Sequence, residues 1–274
     1  MELGLALHNI RLQAPLVQCI TNFVTVNDCA NMILASGGSP SMAHDIREVE
    51  EAVCGVQALV CNLGAIEWVD SMVLAGKKAN ELGTPVVFDP VGAGSTTLRR
   101  NLANRLLENV QFSVIRGNAS EIRALAGHNG LNTGVDVSRL DVITEETLTD
   151  SMENIRLLAQ KTRSVIAVSG KLDVISNGVE TVVLRNGCAT MARITGSGCM
   201  LSALIGAFCG AMPNDPFTAT CAAMGAMGVC GELAEKKRLK QGTGNATFRT
   251  DLIDAMFNLT ETDLMEGINY EIYK

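Results

Sequence analysis

The chain has 274 residues, with 22 Lys+Arg against 29 Asp+Glu and a net charge of −7, which argues against the basic footprint that nucleic-acid binding requires. With 47% hydrophobic and 19% charged residues it is globular rather than disordered. Only 4% aromatics beside 26 Gly, 9 Cys and 12 Met imply an interior built from small and flexible groups.

The opening stretch MELGLALHNIRLQ has no basic segment leading into an apolar run, so it does not read as a signal peptide. The longest apolar stretch, residues 199–212, is interrupted by Ser202 and too short to span a bilayer. The nine cysteines form no CxxC pair and no Cys/His cluster with zinc spacing. The expectation is a reduced, cytoplasmic protein with no membrane partner and with thiols mostly in the core. No Pro-rich, Ser-rich or like-charged block divides it, so one domain is expected over residues 1–274.

In chain order, helical spacing of apolar residues predicts a first helix from Asn27 to Ser36. A strand follows over 56–64 (VQALVCNLG), a helix from Ile66 to Leu82, and strands over 85–90 (PVVFDP) and 112–118 (FSVIRGN). Helices from Ser120 to Ala126 and from Glu146 to Thr162 precede a strand over 164–170 (SVIAVSG). Short strands apolar on both faces and separated by helices belong in a parallel sheet covered on both sides. DVISNGVETVVLR (173–185) reads as a hairpin around Asn177-Gly178, which gives the sheet an antiparallel edge. Residues 197–212, 215–239 and 246–260 read as successive helices, the first two so rich in small residues that they must pack tightly.

Several stretches carry chemistry. In ITGSGCMLSALIGAF (194–208) a glycine-rich turn opens into an apolar helix, so the N–H groups of Gly196, Ser197 and Gly198 could hold an anion. Equally, the turn could only let a buried helix start close to the sheet. It matches neither the P-loop, since no Lys follows, nor GxGxxG, since Leu201 stands at the third Gly position. In RGNASEI (116–122), Asn118 and Glu121 could orient Mg²⁺ and Arg116 could reach phosphates, although Asn-x-x-Glu is also a helix capping box. In DPVGAG (89–94), Asp89 ends a strand where ligands of open α/β sheets bind, or simply closes an Asp-Pro turn. Amides and hydroxyls in CITNFVTVNDCAN (19–31) and Met42 in GGSPSMAHD (37–45) could line a small-molecule pocket, with Asn27 and Asp28 read as N-terminal helix residues. His8 and His128 read as surface groups, and His44 lies beside Met42.

Taken in order, TNFVTVNDCAN (21–31), SPSMAHDIREVEE (39–51), CNLG (61–64), VVFDPVGAG (86–94), IRGNASEI (115–122), VIAVSGKLDVIS (165–176) and TGSGCMLSALIGAF (195–208) resemble the hydroxyethylthiazole kinases, small members of the ribokinase-like superfamily. The resemblance runs from residue 14 to about 262. It implies a ribokinase-like α/β fold that uses ATP and Mg²⁺ to phosphorylate the hydroxyl of 4-methyl-5-(2-hydroxyethyl)thiazole, in salvage of the thiazole half of thiamine. It implies thiazole contacts from Asn22, Met42 and Gly196, ATP contacts from Arg116, Ser169 and Thr195, and Mg²⁺ service from Asp89 and Glu121 with Asn118. The turn through Gly196, Ser197 and Gly198 would hold the transferring phosphoryl group, and the resemblance implies a homotrimer with active sites between subunits.

Four positions depart from the family's usual pattern: Gln18 for His, Phe23 for Tyr, Ser169 for Thr, and Lys171 for an acidic residue. Cys199 stands where many ribokinase-like kinases carry the Asp that acts as base. A thiol ordinarily titrates at about 8.5 and is lowered at helix N-termini, so a minor thiolate fraction could take the alcohol's proton. Alternatively Cys199 only shapes the pocket, since phosphoryl transfer depends mainly on positioning and charge. The competing readings are a kinase for another small alcohol, a non-catalytic nucleotide or thiazole binder, and a redox sensor built on the cysteines.

Overall fold

A computed structural model describes residues 1–127 and 143–274; His128 lies outside the described residues. One nine-stranded sheet organises the chain, in the order β2-β1-β3-β4-β5-β6-β7-β8-β9. The strands are β1 (Leu16–Ile20), β2 (Ser39–Ser41), β3 (Ala58–Asn62), β4 (Val86–Asp89), β5 (Val114–Asn118), β6 (Val165–Ser169), β7 (Asp173–Ser176), β8 (Thr181–Leu184) and β9 (Tyr270–Tyr273). From β2 to β6 all pairings are parallel, and β6 to β9 pair antiparallel.

Apart from the short edge strand β2 (Ser-Pro-Ser), the parallel strands are apolar on both faces, and the pleat sorts their side chains between two cores. Ala58 and Val60 of β3 enter one core with Val17, Val87 and Ala167, while Leu59 and Cys61 enter the other with Ile20, Phe88 and Ile166. The first core is closed by α1 (Leu3–Gln13), α2 (Val26–Ser36), α8 (Ser197–Ala211), α9 (Pro216–Gln241), α10 (Asn245–Asn258) and α11 (Glu261–Gly267). The second is closed by α3 (Val49–Val53), α4 (Val69–Leu82), α5 (Thr97–Asn109), α6 (Ala119–Ala126) and α7 (Leu148–Thr162). The expected mainly parallel sheet with helices on both faces and an antiparallel edge is therefore what the chain forms. α9 is long and apolar enough to cross a bilayer by composition, yet its apolar span is buried inside the fold.

The elements α1, β1, β2, α3 and α11 were not among the sequence expectations, and further details differ. Asn177-Gly178 opens a four-residue loop instead of forming a two-residue turn: Asn177 Oδ1 accepts from the N–H of Val179 (2.9 Å) and Glu180 (2.8 Å). Gln160 of α7 donates to the Gly178 carbonyl at 2.6 Å and packs so close that a Cβ there would meet its Cγ at 2.7 Å. The sheet ends on β9, not on the hairpin, because the C-terminal segment returns to pair with β8. The polar helix α5, whose Thr96 cap accepts from Arg99 N–H, also carries too weak an apolar stripe to stand out from the sequence.

The chain moves from β1 outward to β2, then crosses back to β3 on the other side of β1. That reversal opens a crevice at the carboxyl ends of β1 and β3. α8 covers it at short range: a Cβ on Gly206 would lie 2.5 Å from Val60 Cγ2 and 3.1 Å from Val17 Cγ1. Gly206→Ala gains about 1 kcal/mol of helix propensity but loses about 1–3 kcal/mol to overpacking against the sheet. A net fall in the urea midpoint is expected; an unchanged or raised midpoint would show that α8 can withdraw.

Candidate active site

Three strand ends meet beneath the start of α8. After β1, Asn22 folds back on its own turn, its Oδ1 accepting from Val24 N–H at 3.1 Å and Thr25 Oγ1 at 3.2 Å. Its Nδ2 donates to Asn62 Oδ1 at 3.1 Å and to Cys199 Sγ at 3.5 Å. Asn62, the last residue of β3, donates to Asp89 Oδ2 at 3.0 Å and to Cys199 Sγ at 3.2 Å. Asp89, the last residue of β4, also accepts from Ser202 Oγ of α8 at 2.8 Å. These carboxylate and amide groups are buried.

Burial pushes the Asp89 carboxyl up to about 6, with Arg116 pulling it down and Glu121 pushing it further up. Arg116 Nη1 stands 3.8 Å from Asp89 Oδ2, and its Nη2 donates to Ser169 Oγ at 2.5 Å. Among the described residues, the buried Asp89 Oδ1 and Arg116 Nε have no hydrogen-bond partner. An unanswered carboxylate oxygen and an unanswered guanidinium N–H in one polar cluster fit a cation and an anion respectively.

The glycine turn supplies the remaining wall. Gly196 sits at the start of α8 with φ +84°, and a Cβ there would meet Thr25 Cγ2 at 2.6 Å. Gly198 lies under Arg116, where a Cβ would come 2.7 Å from Nη1. No side chain caps α8, and the first N–H groups of a helix have no intrahelical partner. The turn brings the helix close to the sheet and leaves its positive end uncapped beside Arg116. Thr195 is exposed just ahead of it.

Cys199 corrects one expectation. The helix terminus does not lower its thiol; burial first and the Asp89 charge second raise it, against opposing hydrogen bonds from Thr25, Asn62 and Asn22. A half-buried neutral thiol beside a carboxylate is a poor base. The cysteines are otherwise as expected: six are buried, Cys188 is half-buried, and only Cys54 is exposed.

Asn118 and Glu121 form the capping box. Asn118 Oδ1 accepts from Glu121 N–H at 2.9 Å and Ser120 Oγ at 2.7 Å, while Glu121 Oε2 accepts from Asn118 N–H at 2.9 Å. Glu121 Oε1 further accepts from Gly92 N–H at 2.9 Å, which ties α6 to the turn after Asp89. Both carboxylate oxygens of Glu121 are thus held by backbone N–H groups, one of them in the turn that follows Asp89. Among the described residues no group of three His, Cys, Asp or Glu could hold a metal alone. A Mg²⁺ here would draw further oxygens from phosphate and water, its usual preference.

Beyond Ser169 opens a cavity of about 620 Å³, walled by Arg116, Ser169, Lys171, Asp173 and Arg185 on one side and by Gly198, Leu201, Met224 and Met227 on the other. Burial pushes Asp173 up to about 7, opposed by the Gly170 N–H it accepts at 2.9 Å and by Arg116. Gly228 lets Asn186 lie directly on α9, since a Cβ would come 2.6 Å from Asn186 Cβ. Met42 occupies a separate segment after β2, held through its neighbour Ala43 by Gln18 Nε2 (2.9 Å) and through its own carbonyl by His44 Nδ1 (2.9 Å). His44 in turn rests on Trp68, with ring centroids 4.5 Å apart. Among the described residues no hydrogen bond joins the Met42 segment to Asn22 or Gly196. Asn27 and Asp28 lie in the first turn of α2, and His8 is exposed beside Glu261.

Asn62, Ser202, Asp173, Arg185, Met224 and Met227 were not singled out from the sequence. Asn62 alone had a signal, its place in the CNLG motif at a strand end.

The profile of the hydroxyethylthiazole kinase family matches residues 7–262. The chain belongs to the hydroxyethylthiazole kinase family. It is 46% identical over 269 residues to a hydroxyethylthiazole kinase of Clostridium acetobutylicum, covering 97% of this chain and 98% of that one. It is 42% identical over 274 residues to one of Methanobrevibacter smithii, covering 97% and 95%. The solved hydroxyethylthiazole kinase structure of Pyrococcus horikoshii OT3 superposes with a TM-score of 0.86 at 33% identity, covering 99% of both chains. An ADP complex of Bacillus subtilis pyridoxal kinase matches with a TM-score of 0.59 at 19% identity over 78% of this chain and 90% of that one, a likeness of fold.

For this family member the buried Asp89 carries a stability cost with a definite sign. Its carboxyl rises from 3.8 to about 6 on folding. Between those values the unfolded chain ionises first, so stability falls as pH rises from about 4 to about 6 and stays lowered above that. In cation-free buffer Asp89→Asn is expected to flatten this fall, with a thermal midpoint at or above the parent's beyond pH 6. A parent that gains stability over the variant across pH 4–6 would contradict it.

Proposed function

We propose that the protein transfers the γ-phosphoryl group of ATP to the hydroxyl of 4-methyl-5-(2-hydroxyethyl)thiazole, with Mg²⁺, in thiamine salvage. The observation that carries this reading is the meeting of an uncapped helix N-terminus, Arg116 and a partly unanswered buried Asp89 at one end of a 620 Å³ cavity, in a chain matched almost end to end by hydroxyethylthiazole kinases. The family relationship supports an ATP-dependent kinase acting on its alcohol.

ATP occupies the cavity, its base between Leu201 and the Met224–Met227 face of α9 and its phosphates toward Arg116, Ser169 and Thr195. Asp89 and Glu121 serve Mg²⁺, with Asn118 holding Glu121 in place through the cap. When bound, the metal neutralises charge on the phosphate oxygens. The N–H groups of Gly196, Ser197 and Gly198, together with Arg116, face the transferring group and stabilise its charge. The thiazole alcohol lies against Asn22, Met42 and Gly196, with Cys199 shaping its pocket. Little proton removal is needed before a loose transition state, so a neutral thiol suffices.

The active form is a cytoplasmic homotrimer of single-domain subunits. Phe23 and Val24, 82% and 58% exposed directly beside Asn22, are apolar groups that a neighbouring subunit would cover. Lys171, exposed on the cavity rim near Glu145, reverses the family's usual charge there and bears on nucleotide affinity rather than on the reaction.

Purified protein with Mg-ATP is expected to convert the thiazole alcohol to its phosphate with stoichiometric ADP and to leave the pyrimidine alcohol of thiamine largely unmodified. ADP formation on another alcohol only, or nucleotide binding without ADP, would sink this reading. Glu121→Gln is expected to lower turnover by about 10–100-fold, whereas Cys199→Asp should retain or raise it. Turnover should fall as pH drops through about 6, where Asp89 takes up a proton, and added Mg²⁺ should move that limb to lower pH by competing with the proton. An acid limb indifferent to Mg²⁺ would detach Asp89 from the metal.

A further inference from the structure

Asn62 spends every hydrogen-bonding group it has. A side-chain amide offers two donors and two acceptor sites, and here the donors go to Asp89 Oδ2 (3.0 Å) and Cys199 Sγ (3.2 Å), the acceptors to Asn22 Nδ2 (3.1 Å) and Gly64 N–H (2.9 Å). Two partners have only one polarity: an ionised carboxylate can only accept and a backbone N–H can only donate. They fix which way the Asn62 amide faces. That in turn fixes Asn22, whose Nδ2 must face Asn62 and whose Oδ1 must turn to Val24 N–H and Thr25 Oγ1. Asn62 is 1% exposed and has no group left for substrate.

We propose that Asn62 is a positioning residue that holds the alcohol-binding amide of Asn22, the thiol of Cys199 and the carboxylate of Asp89 in one register, so that the acceptor and metal sides of the reaction are aligned by a single side chain. The proposal rests on the kinase reading given above. Misplacement of reacting groups by about 1 Å costs on the order of a hundredfold in rate, and among the described residues no hydrogen bond joins Asn62 to the lining of the Arg116–Ser169–Met224 cavity, so its loss should act on turnover rather than on nucleotide binding.

Two variants separate positioning from folding. Asn62→Asp keeps the shape and the bonds from Gly64 and Asn22 but loses both donated bonds. Asn62→Ser removes the amide without adding charge. Each is expected to lower kcat by about tenfold or more while KM for ATP stays within about twofold. The second readout is alkylation by iodoacetamide, followed by mass spectrometry of each cysteine. The Asn62 N–H favours the thiolate that iodoacetamide attacks, so without it Cys199 should label several-fold more slowly than in the parent, whereas Cys61, fully buried on the same strand, should stay unlabelled. Turnover within about twofold of the parent in both variants overturns the proposal, and so does lost turnover accompanied by labelling of Cys61, which would mean that Asn62 only supports the fold. A parent that phosphorylates no thiazole would remove the kinase reading, and the Cys199 against Cys61 contrast would then decide Asn62's hold on the thiol by itself.

Discussion

The site is built around a charge that is expensive to bury. Asp89 ends a central strand under a helix, 1% exposed, and a carboxylate there must be answered by hydrogen bonds and an opposite charge or remain protonated. Asn62 and Ser202 answer one oxygen, Arg116 stands nearby, and the other oxygen has no partner among the described residues. The neighbouring polar groups serve this arrangement. Arg116 is buried because Asp89 is, Ser169 fixes one arm of its guanidinium, and Gly198 must lack a side chain so that the guanidinium can lie over the start of α8. Holding a charge under-answered in this way costs stability, which is why its neighbours are fixed so closely.

The small residues of the composition have a structural role that follows from this. α8 has to bring its N-terminus to the strand ends, so its next turns must lie almost on the sheet, and Gly206 makes room for Val60 and Val17. α9 repeats the device on its other side, where Gly228 and Gly231 receive Asn186 and Met191. Polypeptide packed that closely leaves the larger void to one side, between the sheet's antiparallel edge and the two helices, and that void is the cavity beside Arg116. Bulky aliphatic residues at the same positions would hold the helices away and draw the start of α8 back from the strand ends.

Much of the fold was legible in the sequence because its causes are local. Apolar runs such as VQALVCNLG and the spacing in α4 and α7 declare strands and helices within a dozen residues. The Asn118–Glu121 cap was likewise legible, since both partners lie within one turn of helix. β9 was not, because a four-residue segment reads as a strand only when β8 is there to pair with it. Asn62 illustrates the same limit within the site: its partners are Asn22, Gly64, Asp89 and Cys199, and three of the four are brought by other segments of the chain.

Cys199 marks the division most clearly. The odd, cysteine-rich composition suggested a reduced core, and the glycine turn separated this one thiol from the other eight. Its position at a helix start pointed to a lowered titration, a rule that treats the helix as isolated. In the folded chain Asp89 and the surrounding burial act on the same sulfur and reverse the sign. Periodicity and residues close along the chain were enough to read the fold class, the motifs and the family. The raised titration of Cys199, the orientation of Asn62 and the cavity could not be read there, because each is set by burial and by groups that approach one another from distant parts of the chain.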